Sequence, residues 1–311
     1  MPPAESFPPL SLPADALLAG VGYLGAPLAE TLARAGVAVT GLARSVPESS
    51  DPTGSGPGPY PVESADLGDP VSIAAVAEKI GPVSAIVHCA SSGRGGIDAY
   101  RAVFVDGTRH LIESFPGARL FFTSSTSVYG QTDGSTVTEE SLADPDRETG
   151  RMLRQAEDQV LAAGGTVLRL AGIYGPGRSV HLKKFLEGTA TIESGDVSRL
   201  LNQIHRDDAL SALVHLMSLP PKAVRGQIYN VADDTPLSQR ATYEALADFF
   251  QQPLPPEAPP DLNRKRAWTH KAVSNAKLRA TGWTPQHPSF PGALTSDPTL
   301  VDSIQAVIGD R

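Results

Sequence analysis

The chain has 311 residues, enough for one large domain or a large one with a smaller appendage. Its formal net charge of −8, with no local basic face, argues against a nucleic-acid partner, whose phosphates need cations. No apolar run approaches the roughly 18 residues of a membrane span, and the single cysteine, Cys89, excludes an internal disulfide or a thiolate metal cluster.

Apolar periodicity predicts the elements in chain order. Residues 1–13 have neither a basic flank nor an apolar core, and are expected to be a loose lead-in rather than a secretory signal, with the cytoplasm as the simplest compartment. From Ala14, ADALLAG reads as a strand, LGAPLAETLARAG as a helix ended by Gly36, and VAVTGLA as a strand. SVPESSDPTGSGPGPYP from Ser45 reads as an exposed loop, and QQPLPPEAPPDLN from Gln251 as another. Between them, VESADLGD, SAIVHCA, ARLFFTSS and GTVLRLAGIYG read as strands, and SIAAVAEKI, DAYRAVFVDGTRHLIESF and TGRMLRQAEDQVLAAG as helices. This alternation implies βαβ crossovers and a parallel sheet covered on both faces, an α/β Rossmann doubly wound fold. Beyond Gly177 it fades. The expected division is a dinucleotide-binding Rossmann domain over 14–175 and a smaller, irregular substrate-binding portion over 176–311, with a segment near 202–232 returning to the main domain.

Gly20-Val21-Gly22-Tyr23-Leu24-Gly25 fits G-x-G-x-x-G, directly after a strand and opening a helix. The first glycine permits the turn, the second lets backbone approach a pyrophosphate, and the third lets helix and strand pack closely. The strand VAVTGLARS ends without a carboxylate for ribose hydroxyls and offers Arg44 and Ser45 instead. A guanidinium can fork onto a 2′-phosphate, so NADP is favoured over NAD.

In chain order AGVGYLG, ADLGD, IVHCASS, FVDGTRHLIE, FFTSSTSVYG, LRLAGIYGPGR, NQIHRDDA and IYNVADD resemble the extended and atypical short-chain dehydrogenases/reductases, and more narrowly the NAD(P)-dependent epimerase/dehydratase-like branch. The resemblance implies that Asp66 and Leu67 contact adenine and that Cys89, Ala90 and Ser91 run under the cofactor. It places Ile173 and Tyr174 near the nicotinamide, and His205, Asp207 and Asp208 at the border of the substrate cleft. Ser125, four residues before Tyr129, matches the hydroxyl that binds the substrate's reacting oxygen. Helices around Arg109 and Gln155 match those that pair subunits in relatives, so a homodimer is expected.

The departures are as informative. The family's asparagine falls on Phe104, with Asp106 the nearby polar candidate. The Tyr-x-x-x-Lys pair, in which the lysine lowers the tyrosine's pKa, falls on Thr149 and Leu153. Proton transfer would then pass to Ser125 with water, Tyr129, Tyr174, His205 or a water held by Thr149. Arg151 and Arg154 either bind an anion or form a solvated helix face. His205 either carries a proton or braces the helix it precedes, and Asp207-Asp208 reads as helix capping rather than metal ligation.

The sequence thus implies an NADP-dependent oxidoreductase or epimerase-like enzyme that transfers hydride to or from a small carbonyl or hydroxyl compound, or a sugar nucleotide. A cofactor-binding sensor or structural protein without turnover, and a scaffold for non-redox chemistry, are the alternatives.

Overall fold

A computed structural model of the protein describes residues 11–45, 60–93, 95–195, 198–260 and 268–309. Most of the expected lead-in, the centre of the loop after Ser45 and the end of the one after Gln251 lie outside the described residues.

Seven strands, β1 (Asp15–Ala19), β2 (Ala38–Ala43), β3 (Val62–Ser64), β4 (Ala85–His88), β5 (Arg119–Ser125), β6 (Thr166–Leu170) and β7 (Ile228–Val231), form one sheet in the order β7-β6-β5-β4-β1-β2-β3. β1 pairs in parallel with both β2 and β4, β2 with β3, and β4 with β5. The strand order therefore reverses at β1, the point where open α/β sheets bind ligands. β4 and β6 are buried at every residue, as strands covered on both faces must be.

α1 (Gly25–Arg34) follows β1, and its buried Leu28, Ala29 and Leu32 recur at helical spacing. α2 (Pro70–Ile80) starts where Asp69 accepts a hydrogen bond from Val71 N at 3.0 Å. Where one unbroken helix is expected, α3 (Gly96–Arg101) and α4 (Gly107–Ser114) flank a π-helical turn, Ala102–Asp106. α5 (Glu148–Ala162), α6 (Val180–Leu186) and α7 (Arg206–Ser218) follow.

The expected strand GTVLRLAGIYG is broken after Leu170. Ala171 N still donates to Val231 O, but Gly172 N turns to Asn202 O, and Gly172–Tyr174 pairs in parallel with Gln203–His205. Long-range pairing overrides the local apolar run.

The chain divides into two compact units. The first comprises Met1–Thr123, Met152–Val167 and Leu213–Gln227; the second comprises Ser124–Arg151, Leu168–Ala212 and Ile228–Arg311. The first holds a core of strand and helix residues such as Leu17, Leu28, Ile86 and Phe121. The second has its own, built on Tyr174, Leu182, Phe185, Tyr243, Leu246 and Phe290. Among the described residues no helix is long and apolar enough to cross a membrane.

Candidate active site

In the first unit the glycine loop links β1 to α1. Gly20 adopts φ +103°, and a Cβ there would lie 2.6 Å from Ala90 N. A Cβ on Gly25 would run into the Gly20 carbonyl oxygen and lie 2.9 Å from Cys89 Sγ. Only glycine fits either position. Gly22 is exposed, and a Cβ there would meet nothing within 4 Å. Tyr23 is half-buried and Leu24 buried, and Leu24 gives the start of α1 no side-chain cap. The first turn of α1 also lacks acidic residues, which leaves its positive end uncompensated.

Cys89, at the end of β4, turns its thiol inward and donates to Gly20 O at 3.0 Å. Burial pushes this thiol up to about 12, so it is a structural prop and no nucleophile. Ala90 is half-buried, and the exposed Ser91 accepts from Gly93 N through Oγ at 3.3 Å.

Arg44 and Ser45 lie exposed just after β2. Ser64 Oγ donates to Arg44 O at 3.2 Å, and among the described residues the Arg44 guanidinium has no carboxylate partner. Gly41 leaves room for Val21, whose Cγ1 would be 2.7 Å from a Cβ at that position.

Asp66 folds into a tight turn after β3, its Oδ1 accepting from Gly68 N at 2.9 Å. The buried Leu67 accepts from His110 Nδ1 at 2.8 Å, while His110 Nε2 accepts from Arg109 Nη2 at 3.0 Å. A Cβ on Gly107 would lie 2.9 Å from Leu67 Cβ, so α4 closes directly on this loop. Nothing in the sequence singles out His110 as the holder of Leu67. Its partner is 43 residues away, and the only local hint is the G-T-x-H run that opens α4.

His88 donates through Nε2 to Val103 O at 3.0 Å, inside the π-helical turn, and its ring stacks on Phe104. Burial pulls its pKa down to about 4, so it is neutral at physiological pH.

In the second unit the hydroxyls of FFTSSTSVYG diverge. Ser125 is half-buried; its Oγ accepts from Ser127 N at 3.2 Å, capping the short 3-10 turn Thr126–Val128, and donates to no described residue. Its proton is available to a ligand. Tyr129, at the other end of the turn, has no exposed surface; its hydroxyl donates to Asn230 Oδ1 at 2.9 Å and accepts from Arg169 Nη1 at 2.8 Å. With both partners fixed, this phenol braces the turn and cannot reach a substrate. Thr123, in the first unit, bonds His88 O at 3.1 Å, a long-range backbone partner rather than a local one.

His205 is likewise enclosed. Its Nε2 donates to Asp297 Oδ2 at 3.1 Å and its Nδ1 accepts from Asp207 N at 3.2 Å. Both ring nitrogens are used, so His205 ties α7 to Asp297 rather than carrying a proton. Burial lowers its pKa, helped by the nearby His287. The Asp208 carboxylate accepts from Gln286 N at 2.6 Å and His287 N at 2.9 Å, while Asp207 accepts from Arg206. Among the described residues no group of acidic, histidine or cysteine side chains could hold a metal ion.

Ile173 pairs with Ile204. Tyr174 is buried beside His205, and its hydroxyl has no partner among the described residues. Desolvation raises its pKa, with Asp233 adding to the effect, which makes it a poor acid. Asp233 is itself pushed up to about 8 by burial. Thr149 is half-buried on the first turn of α5, with its hydroxyl unpaired among the described residues. Leu153 is buried in the first unit, and Arg154 pairs there with Glu157 and Asp158. Arg151, in the second, donates to Asp146 O at 2.7 Å. The two arginines are committed to local partners, as a solvated helix face would have them.

The reversal of strand order at β1 and a glycine loop that tolerates no Cβ at Gly20 or Gly25 define a dinucleotide-binding α/β protein. The chain belongs to the NAD dependent epimerase/dehydratase family, whose model matches residues 16–232. It is similar to a Methylobacillus flagellatus protein described as an NAD-dependent epimerase/dehydratase, with 28% identity, a TM-score of 0.72, and 95% of this chain and 100% of that one covered. It is 36% identical over 132 residues to Protein YeeZ of Escherichia coli K12, a match that spans 42% of this chain and 45% of that relative. The fold is also that of a Thermotoga maritima UDP-glucose 4-epimerase solved with UDP-glucose, at a TM-score of 0.77 and 16% identity over 94% of this chain and 99% of that one.

Proposed function

We propose that the protein is an NADP-dependent oxidoreductase or epimerase-like enzyme that moves hydride between the nicotinamide and a carbon bearing a hydroxyl or carbonyl. The observation that carries this reading is the glycine loop: two positions closed to any side chain and, at Gly22, open space for a pyrophosphate. Arg44, exposed and without a carboxylate partner among the described residues, supports NADP over NAD through its 2′-phosphate. When bound, the cofactor supplies or accepts the hydride. The chain's own groups bind and orient: Asp66 and Leu67 meet the adenine, and Ser125 donates its free hydroxyl proton to the reacting oxygen. With Tyr129 and His205 enclosed, a water beside Ser125 or Thr149 exchanges the proton with solvent. The substrate is a small carbonyl or hydroxyl compound or a sugar nucleotide.

A second reading follows from the buried Leu153 and the enclosed Tyr129: a dinucleotide-binding sensor that does not turn over. One assay separates the two. NADPH oxidation is followed by absorbance against a carbonyl panel, with Ser125→Ala as control. Turnover that falls at least tenfold in the variant, with NADPH affinity unchanged, supports the enzyme; tight NADPH binding with no turnover of any compound supports the sensor. Arg44→Ala is expected to narrow the NADPH-to-NADH affinity ratio, and an unchanged ratio would reject the NADP assignment.

A further inference from the structure

Tyr129 meets a second buried cation in its own unit. Lys271 donates from Nζ to the Tyr129 backbone oxygen at 2.9 Å and to Thr269 Oγ1 at 3.0 Å, and the residue is 4% exposed. Both acceptors are neutral. An ammonium has three donors, so one N–H remains, and among the described residues no carboxylate pairs with Lys271. Glu139, the carboxylate that acts on the Tyr129 phenol, accepts from Asn230 N at 2.7 Å.

Burying a charge without a counter-charge costs stability, and burial pulls this amine down to about 8. Holding a loop carbonyl does not require a charge. Asn202 does that work alongside, donating to Lys271 O at 2.9 Å and accepting from Val273 N at 2.7 Å. The charge therefore needs a reason of its own, and its position suggests one: Tyr129 ends the 3-10 turn that Ser125 caps. No local pattern marks Lys271, which follows the Pro-rich stretch in sequence and reaches Tyr129 from 142 residues away.

We infer that Lys271 is an anion-binding residue of the substrate site, and that the substrate carries a carboxylate or phosphoryl group that takes the remaining ammonium N–H. The inference rests on Ser125 being the residue that meets substrate, but its test uses neither NADPH nor turnover, so the two can fail separately.

The full-length protein is titrated with inorganic phosphate and, separately, with acetate, at constant ionic strength against chloride, while its thermal midpoint is recorded. Lys271→Met and Lys271→Gln are run beside it; the glutamine keeps an N–H for Tyr129 O and removes only the charge. The expected result is a saturable rise of the wild-type midpoint with at least one anion, weakened about tenfold or more in affinity in each variant that folds. Lys271→Met is also expected to be at least as stable as wild type in chloride alone. A response to phosphate only assigns a phosphoryl group, and to acetate only a carboxylate. No wild-type response beyond chloride overturns the inference. So does an equal response in Lys271→Gln, or a fall in stability of both variants with the anion response intact, which would make Lys271 a structural clamp.

Discussion

Gly22→Ala separates the loop's role in binding from its role in folding. The new Cβ meets nothing within 4 Å and the position does not need a positive φ, so the unliganded fold is expected to change by less than about 0.5 kcal/mol. A methyl group placed where a pyrophosphate must approach backbone costs about 1–3 kcal/mol of overpacking, or roughly a tenfold to hundredfold loss of NADPH affinity. Gly20→Ala is the contrast. It adds a strained backbone at φ +103° to a Cβ 2.6 Å from Ala90 N, and summing about 1–3 kcal/mol for each gives a loss of roughly 2–6 kcal/mol. Urea denaturation measures stability, and NADPH fluorescence titration measures binding. If Gly22→Ala binds NADPH as wild type does, the dinucleotide does not pass over this residue. If it unfolds instead, the space beside Gly22 is not open.

Three further outcomes are expected. Tyr129→Phe deprives Arg169 Nη1 and Asn230 Oδ1 of a buried partner and costs about 2–3 kcal/mol in denaturation experiments; a stability unchanged from wild type would show the phenol to be no brace. Asp233 has a folded pKa raised to about 8, above its unfolded value, so its contribution to stability is full below about pH 4 and is lost as pH rises towards 8, with a slope of up to roughly 1.4 kcal/mol per pH unit. Asp233→Asn should flatten that part of the stability profile, and an identical profile would remove Asp233 as its source. Cys89 should resist a thiol-specific reagent at neutral pH until denaturant is added, whereas rapid labelling of the native protein would mean the thiol is not held against Gly20 O.

Local pattern made much of the fold legible. Three glycines at fixed spacing between a strand and a helix mark the loop, and the apolar runs of β1, β4 and β5 mark the sheet. The failures have a common origin in partners far along the chain. VLRLAGIYG looks like one strand because nothing in it foretells that Gly172 will bond Asn202. The helix through Phe104 carries no glycine or proline at its π-helical turn, which instead coincides with the His88 bond to Val103 O. Ser125 is visible as a hydroxyl at a strand end, but only the structure distinguishes its free proton from the fully paired Tyr129 hydroxyl four residues on.

That π-helical turn fixes the phase of everything after it. Each α-helical residue advances the side-chain direction by about 100°, and a π turn holds one residue more than an α turn. Because the π turn makes about the same rotation with one residue more, deleting a single residue within Ala102–Asp106 would let the segment relax into one regular helix with the face of α4 still towards Leu67, whereas inserting one would swing that face away. After such an insertion Gly107 and His110, which close on the Asp66–Leu67 loop, would point elsewhere. The Asp66–Leu67 loop would then lose its backing, so this segment is expected to accept the loss of one residue far more readily than the gain of one.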